Sequence, residues 1–393
     1  MNFFLPIKIL FTAKWFLQKP KKKKILIFDA SGSDIIKKLI PANSYKVLPS
    51  RFKEINFYCL VKTIFSTNFF LRNISKNYYN NFIKLSKTKI VISFIDHNNY
   101  LWNLKKDLPR IKVLLIQNGI RRFEEKNKTQ LIKKNNPFGI IKKKKEIGKI
   151  DFLFTANNHF SKKYKNFLEC ETKNIGFFRN NQFSYKSKKI DKNTLTYISQ
   201  YRNDIKHEHN VSMPDEKILK FLNEYTFKYD KKLNILARPK GPLTKLSNDK
   251  ELLNFCKKEL QYKNWEIYPE ITKKQGRSHS NYIKGINSDV IVTIDSTLGY
   301  ELLARNKRVA FFCIRDWGGH HLKFGYPKKL KDNGSFWSNN YDIKKYEIIL
   351  DYLFLNSDKS FYDKNKKIIN DISFLDEKNK IFKKIIKNLI NEK

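Results

Sequence analysis

The sequence predicts an α/β chain of two doubly wound domains with parallel sheets. They face a shared cleft and are followed by C-terminal helices. Three observations carry this expectation. Residues 287–312 (NSDVIVTIDSTLGYELLARNKRVAFF) read as strand, capped turn, short helix and strand, a βαβ unit. Short apolar, β-branched runs alternate with helical segments along both halves of the chain. A polar, aperiodic stretch at residues 181–193 separates the halves.

Length and composition agree. A chain of 393 residues can bury two cores, and an aromatic content of 15% is too high for a disordered protein. Lys and Arg number 80 against 37 Asp and Glu, a net charge of +43. That excess fits a negatively charged partner or a general bias toward Lys, Asn, Ile and Phe. No RNA-recognition, zinc-finger or basic-heptad pattern accompanies it, so nucleic acid is not an expected partner. Cys59, Cys170, Cys256 and Cys313 are far apart, form no CxxC and predict neither a disulfide framework nor a structural metal site.

The elements follow in order. Residues 1–17 are apolar but interrupted by Pro6, Lys8 and Lys14, too broken for a transmembrane helix, and they lack the basic start and small-residue cleavage site expected of a signal peptide. With Lys21–Lys24 behind them, they read either as a segment lying on an anionic membrane or as a helix packed on its own domain. The first domain is expected over residues 24–180. A strand at 25–28 runs into the turn DASGSD and a helix at 35–40, the way Rossmann-like domains begin; Gly32 alone makes no GxGxxG. Further strands are expected at 45–48, 57–61, 89–95, 112–116, 151–155 and 172–177. An amphipathic helix is expected at 69–85.

The second domain is expected over residues 194–342. Strands are predicted at 195–199, 233–237, 265–268, 290–294 and 309–313, with helices at 215–229, 249–260, 279–286 and 298–305. A long aromatic- and Gly-rich loop spans 315–340. Helices at 343–354 and 366–390 close the chain, in a C-terminal region of residues 343–393.

Ligands of parallel sheets bind beyond the strand C-termini. The residues expected there include Asp96, His97, Asn118, Gly119, Arg202, Arg238, Lys240, Asp295, Ser296, Thr297 and the loop that begins at Arg315. Cations, small hydroxyls and Gly suit a diphosphate, and a carboxylate suits ribose hydroxyls. Ser296 and Thr297 serve equally as helix caps, and Glu301 is favourable near a helix N-terminus without any ligand. Asp96 and His97 are the candidates for acid–base work, although Asp96 can equally be a strand-end cap. His320 and His321 are adjacent, lack partners at metal-ligand spacing and predict no metal site. Ser296 lacks the GxSxG context of a hydrolase nucleophile.

Residues 288–305 (SDVIVTIDSTLGYELLAR) resemble the donor-site segment of GT-B glycosyltransferases and the related polyol-phosphate transferases. Together with ARPK at 237–240 and GSFW at 334–337, the match is similar to bacterial surface carbohydrate (O-antigen-type) biosynthesis proteins. The resemblance covers mainly residues 195–340. It implies a GT-B-like fold and a sugar moved from a nucleotide-sugar to a glycan or lipid-linked acceptor, with no cofactor beyond that donor substrate. It implies that Ser296 and Thr297 contact the donor diphosphate, that Arg238 holds phosphate and that Glu301 binds ribose. The turn IQNG (116–119) resembles the Gln-His-Gly turn of the polyol-phosphate transferases, but Asn118 stands where their proposed base stands and cannot act as one. Polyol-phosphate transfer and sugar-nucleotide epimerisation on the same fold are the alternatives. A basic protein binding nucleic acid or membrane without catalysis is a third. The expected location is cytoplasmic, peripheral at the inner face of the membrane.

Overall fold

A computed structural model describes residues 12–49, 54–66, 74–123, 140–141, 146–183, 190–201, 213–237, 248–268, 279–315 and 322–392. The chain forms two compact units. The first comprises residues 1–119, 143–183 and 375–393; the second comprises 120–142 and 184–374. Among the described residues each main sheet has six strands, all parallel, numbered here in chain order.

The first sheet contains β1 (Ile25–Phe28), β2 (Tyr45–Leu48), β3 (Ile90–Ser93), β4 (Lys112–Ile116), β5 (Gly148–Thr155) and β6 (Leu168–Asn174), in the spatial order β6-β5-β4-β3-β1-β2. β1 and β3 are buried along their whole length, as strands covered on both faces must be. Ile27, Ile92, Leu114 and Phe154 from this sheet meet Phe382, Ile386 and Leu389 of the last helix, Lys380–Asn391, in one core. The chain terminus therefore belongs to the first unit's interior.

The second sheet contains β7 (Asp191–Ile198), β8 (Lys232–Leu236), β9 (Trp265–Tyr268), β10 (Ser288–Thr293), β11 (Val309–Phe312) and β12 (Trp337–Ser338), in the order β9-β8-β7-β10-β11-β12. Counted within the unit this is 3-2-1-4-5-6, the Rossmann order. The order reverses between β7 and β10. The helix Thr297–Leu303 packs closely on β10 and β11 because residue 299 is glycine: a Cβ there would stand 2.6 Å from Thr293 Cγ2.

Several expectations change. Residues 57–61 form no strand; they open the helix Phe57–Ser66. The apolar run FYCLV fits either state, and its continuation to Ser66 makes it long enough for helix. Residues 14–16 form a short strand paired with Glu54–Asn56 rather than a helix. The single helix expected at 366–390 is two, Asp358–Ile372 and Lys380–Asn391. Ser373 is extended and its hydroxyl donates to Tyr300 O in the second unit's core, and Asp376 then accepts from the N–H groups of Lys380 and Ile381 to start the last helix. Of the aromatic loop, residues 322–340 are packed structure: Phe324 and Phe336 are fully buried, and Trp337 lies flat against Gly334, where any Cβ would meet the indole at 2.1 Å.

Candidate functional site

The crevice beyond β7 and β10 in the second unit is built by short-range chemistry. β7 ends at Ile198, and Ser199 and Gln200 follow it. The first turn of the helix Pro214–Lys228 brings Asp215 beneath them. Asp215 Oδ1 accepts from Tyr197 Oη (2.9 Å), Ser199 Oγ (3.0 Å) and Gln200 N (2.7 Å). Burial pushes the Asp215 carboxyl above its usual range, against the opposing effect of these bonds and of the Arg315 guanidinium. Burial likewise pushes the Tyr197 phenol well above its usual value, with Asp215 adding to it.

β10 leads into Ile294, Asp295 and Ser296. Asp295 is buried, with Arg315 Nη2 2.6 Å from its Oδ1 and Arg122 Nη2 3.9 Å from its Oδ2. Arg315 comes from just beyond β11. Arg122 comes from residues 120–123, a segment of the second unit that follows the IQNG turn in sequence. Two further bonds hold that segment in place: Ile120 N donates to Thr297 Oγ1 (3.3 Å) and Phe123 N donates to Tyr326 Oη (3.1 Å). Cys313 Sγ donates to Ile294 O at 2.9 Å, tying together the residues that follow β11 and β10.

Ser296 occupies the N-cap position but makes no side-chain capping bond, and Thr297 turns its hydroxyl to Ile120. The caps expected of this pair are therefore not formed by their side chains. Glu301 is buried and its Oε2 accepts from Tyr282 Oη, a short contact to the helix His279–Asn287. Ser296, Thr297 and Glu301 thus share one short helix beside Asp295. Arg202, Arg238, Lys240 and His320 lie outside the described residues. Sequence reasoning did not single out Arg122, Tyr197 or Asp215. Arg122 sits far from the donor segment in the chain, and Asp215 beside Pro214 reads as an ordinary helix opener.

In the first unit, Asp96 is fully buried beyond β3. Its Oδ1 accepts from Asn118 N (3.2 Å), its Oδ2 from Tyr164 Oη, and its carbonyl from Trp102 Nε1 (2.7 Å). It ties the end of β3 to the end of β4 and to the helix Asn158–Tyr164. His97 is 45% exposed, with Nδ1 3.8 Å from Asp96 Oδ1. The IQNG turn is clamped by Gln117, which donates to Gly119 O and accepts from Ala156 N. Gly119 has φ 131°, a backbone region that disfavours side chains. Among the described residues no group of three or more His, Cys, Asp and Glu side chains could hold a metal ion.

Residues 114–390 match the model of a family described as "putative O-antigen biosynthesis protein". The chain belongs to this family. Among solved structures, the Staphylococcus aureus MnaA–UDP co-structure is 13% identical, with a TM-score of 0.50 over 94% of this chain and 97% of that one. A variant of the wall teichoic acid polymerase TagF is 15% identical, with a TM-score of 0.50 over 95% and 88%. The pneumococcal O-GlcNAc transferase GtfA, in complex with UDP and GlcNAc, is 9% identical, with a TM-score of 0.48; the chain covers 60% of its length. No curated protein matches the chain. The shared architecture is the GT-B type, two Rossmann-like units with C-terminal helices, as the donor-segment resemblance implies. This member of the O-antigen family keeps its family match through the IQNG turn, the donor segment and the last helix.

Proposed function

We propose that the chain is a GT-B-type glycosyltransferase that moves a sugar from a nucleotide-sugar to a glycan or lipid-linked acceptor during surface polysaccharide assembly. The observation that carries this reading is the meeting of Arg122 and Arg315 at Asp295, directly before the short helix that carries Thr297 and Glu301, at the Rossmann switch point. Nucleotides bind at such reversals. In this reading the two guanidinium groups meet the charge that develops on the leaving diphosphate, and Asp295 holds their planar forks in place beforehand. Glu301, oriented by Tyr282, takes the ribose hydroxyls. Stabilisation of the leaving group is assigned to guanidinium and N–H donors, not to a metal or other cofactor.

On the acceptor side we place the base at His97. It is exposed, carries an imidazole that can accept a proton, and has buried Asp96 beside it as a positioning group. The location proposed is the cytoplasm, at the inner face of the membrane, where a lipid-linked acceptor would be met.

Isothermal titration with a panel of nucleotides and nucleotide-sugars tests the donor reading. Binding of one nucleoside diphosphate and its sugar conjugate, weakened by Glu301→Gln and Arg315→Ala, is expected. No binding by any member, or binding that ignores both substitutions, overturns it. Preference for a CDP-linked polyol would reassign the reaction to polyol-phosphate transfer, and conversion of a UDP-sugar without acceptor would reassign it to epimerisation.

A further inference from the structure

The helix Phe57–Ser66 is turned inside out. Its buried face carries Cys59 and Thr63, both at 0% exposure. Thr63 Oγ1 donates to Cys59 O (2.7 Å) and accepts from Asn81 Nδ2 (3.0 Å) of the helix Ile74–Leu85. Its outward face carries Phe57 at 46%, Ile64 at 51% and Phe65 at 86%, at positions i, i+7 and i+8 of one stripe, with Tyr58 alongside. The neighbouring segment extends this surface. The Trp15 ring is 6.4 Å from that of Phe57, and Phe16 and Leu17 are also exposed.

Lysines frame the apolar surface. Lys14 Nζ stands 5.2 Å over the Phe16 ring, and Lys19 Nζ 4.9 Å over the Tyr58 ring. Lys21, Lys22 and Lys62 are exposed nearby in sequence. Across residues 12–24 and 54–66 the acidic side chain is Glu54, against seven lysines.

We infer that this face docks on the surface of an anionic phospholipid bilayer. Aromatic rings with lysines around them match the two layers of that surface: acyl-chain boundary for Phe, Trp, Ile and Leu, and phosphate headgroups for the ammonium groups. A second copy fits poorly, because a twofold contact would set like-charged patches against each other. Nucleic acid would satisfy the lysines but leave Leu17, Ile64 and Phe65 without a partner. Among the described residues no helix is long and apolar enough to cross a membrane, so the inferred contact is with its surface. This deepens the proposed membrane-side location and does not depend on the donor site.

The test is co-sedimentation of the full chain with vesicles of phosphatidylcholine alone or mixed with phosphatidylglycerol. Binding only to the mixed vesicles, weakening as salt rises, is expected. The double variant Ile64→Ser, Phe65→Ser changes exposed side chains and is expected to fold, as checked by circular dichroism; its vesicle affinity should fall by about tenfold or more. Lys19→Glu with Lys62→Glu should lower it independently. Absence of binding to the mixed vesicles, or binding that neither double variant alters, overturns the inference. So does a concentration-dependent dimer that the Ser variant abolishes, which would assign the face to a second copy. Nucleotide titration on the same samples reports the donor site separately.

Discussion

Arg315 Nη2 lies 2.6 Å from Asp295 Oδ1, and both side chains are almost entirely withdrawn from water. Such a pair owes much of its importance to the cost of separating it. Asp295→Ala leaves the guanidinium groups of Arg315 and Arg122 facing an apolar methyl, and should destabilise the second unit by about 3–5 kcal/mol. Urea denaturation measures this. Arg315→Ala combined with Asp295→Ala should cost less than the two single losses added, because the second deletion removes a charge already stranded.

Glu301 and Tyr282 form a second buried contact beside the same crevice. If Glu301 binds ribose and Tyr282 orients it, Tyr282→Phe should weaken nucleotide binding by about tenfold, or about 1.4 kcal/mol. Glu301→Ala should weaken it further. Calorimetry reads both, and thermal unfolding of each variant separates lost binding from lost folding.

Asp215 receives three hydrogen bonds on one oxygen, Oδ1. An asparagine carbonyl can accept all three, so Asp215→Asn should fold nearly as stably, while Asp215→Ala should lose about 2–4 kcal/mol as three buried donors lose their partner. The pH dependence has a definite sign. The folded-state pKa of Asp215 is raised above the ordinary 3.8, so its favourable contribution is complete below that value and disappears as pH rises through the folded-state pKa. The stability of the native protein relative to Asp215→Asn should therefore fall from acid toward neutral pH, measured by denaturation at several pH values.

His97 is exposed where Asp96 is not. His97→Gln should lower transfer by roughly 10²- to 10⁴-fold while donor affinity stays unchanged. Asp96→Asn is a different case: Asp96 accepts from Asn118 and Tyr164 in the core, so the variant should lose stability as well as rate. An unchanged rate in His97→Gln would remove the residue from the mechanism.

The four cysteines are free thiols, and burial pushes each of them up: Cys170 to about 11, Cys59 and Cys256 to about 12, and Cys313 well above its ordinary value. Thiolate is the reactive form, so a disulfide reagent at pH 8 should label the native protein very slowly and all four thiols quickly after unfolding.

Several elements were legible because their signals are local. Strands Ile25–Phe28, Tyr45–Leu48, Lys112–Ile116 and Trp265–Tyr268 run from and to the residues that their apolar runs predict. The donor segment was legible because strand, polar turn and short helix occupy sixteen consecutive residues, Ser288–Leu303. The helix Phe57–Ser66 was not, since a five-residue apolar run carries no period of its own. Nor was the break at residues 373–379: the signal is Asp376, whose carboxylate starts a helix only once the chain has turned into the other unit's core.

By itself the sequence determined the α/β class, the strands of both sheets except the edge strand Trp337–Ser338, which it read as loop, the donor segment around Ser296, Thr297 and Glu301, and through its motifs the kind of family to which the chain belongs. These follow from composition, period and turn-forming residues, which act over a few residues. Only the tertiary structure decided that Arg122 and Arg315 meet at Asp295, that Asp215 lies under β7, and that the last helix returns to the first unit. Those partners are separated by 173 residues for Arg122 and Asp295, because a parallel sheet brings distant strand ends to one edge and no local rule encodes which ends will meet.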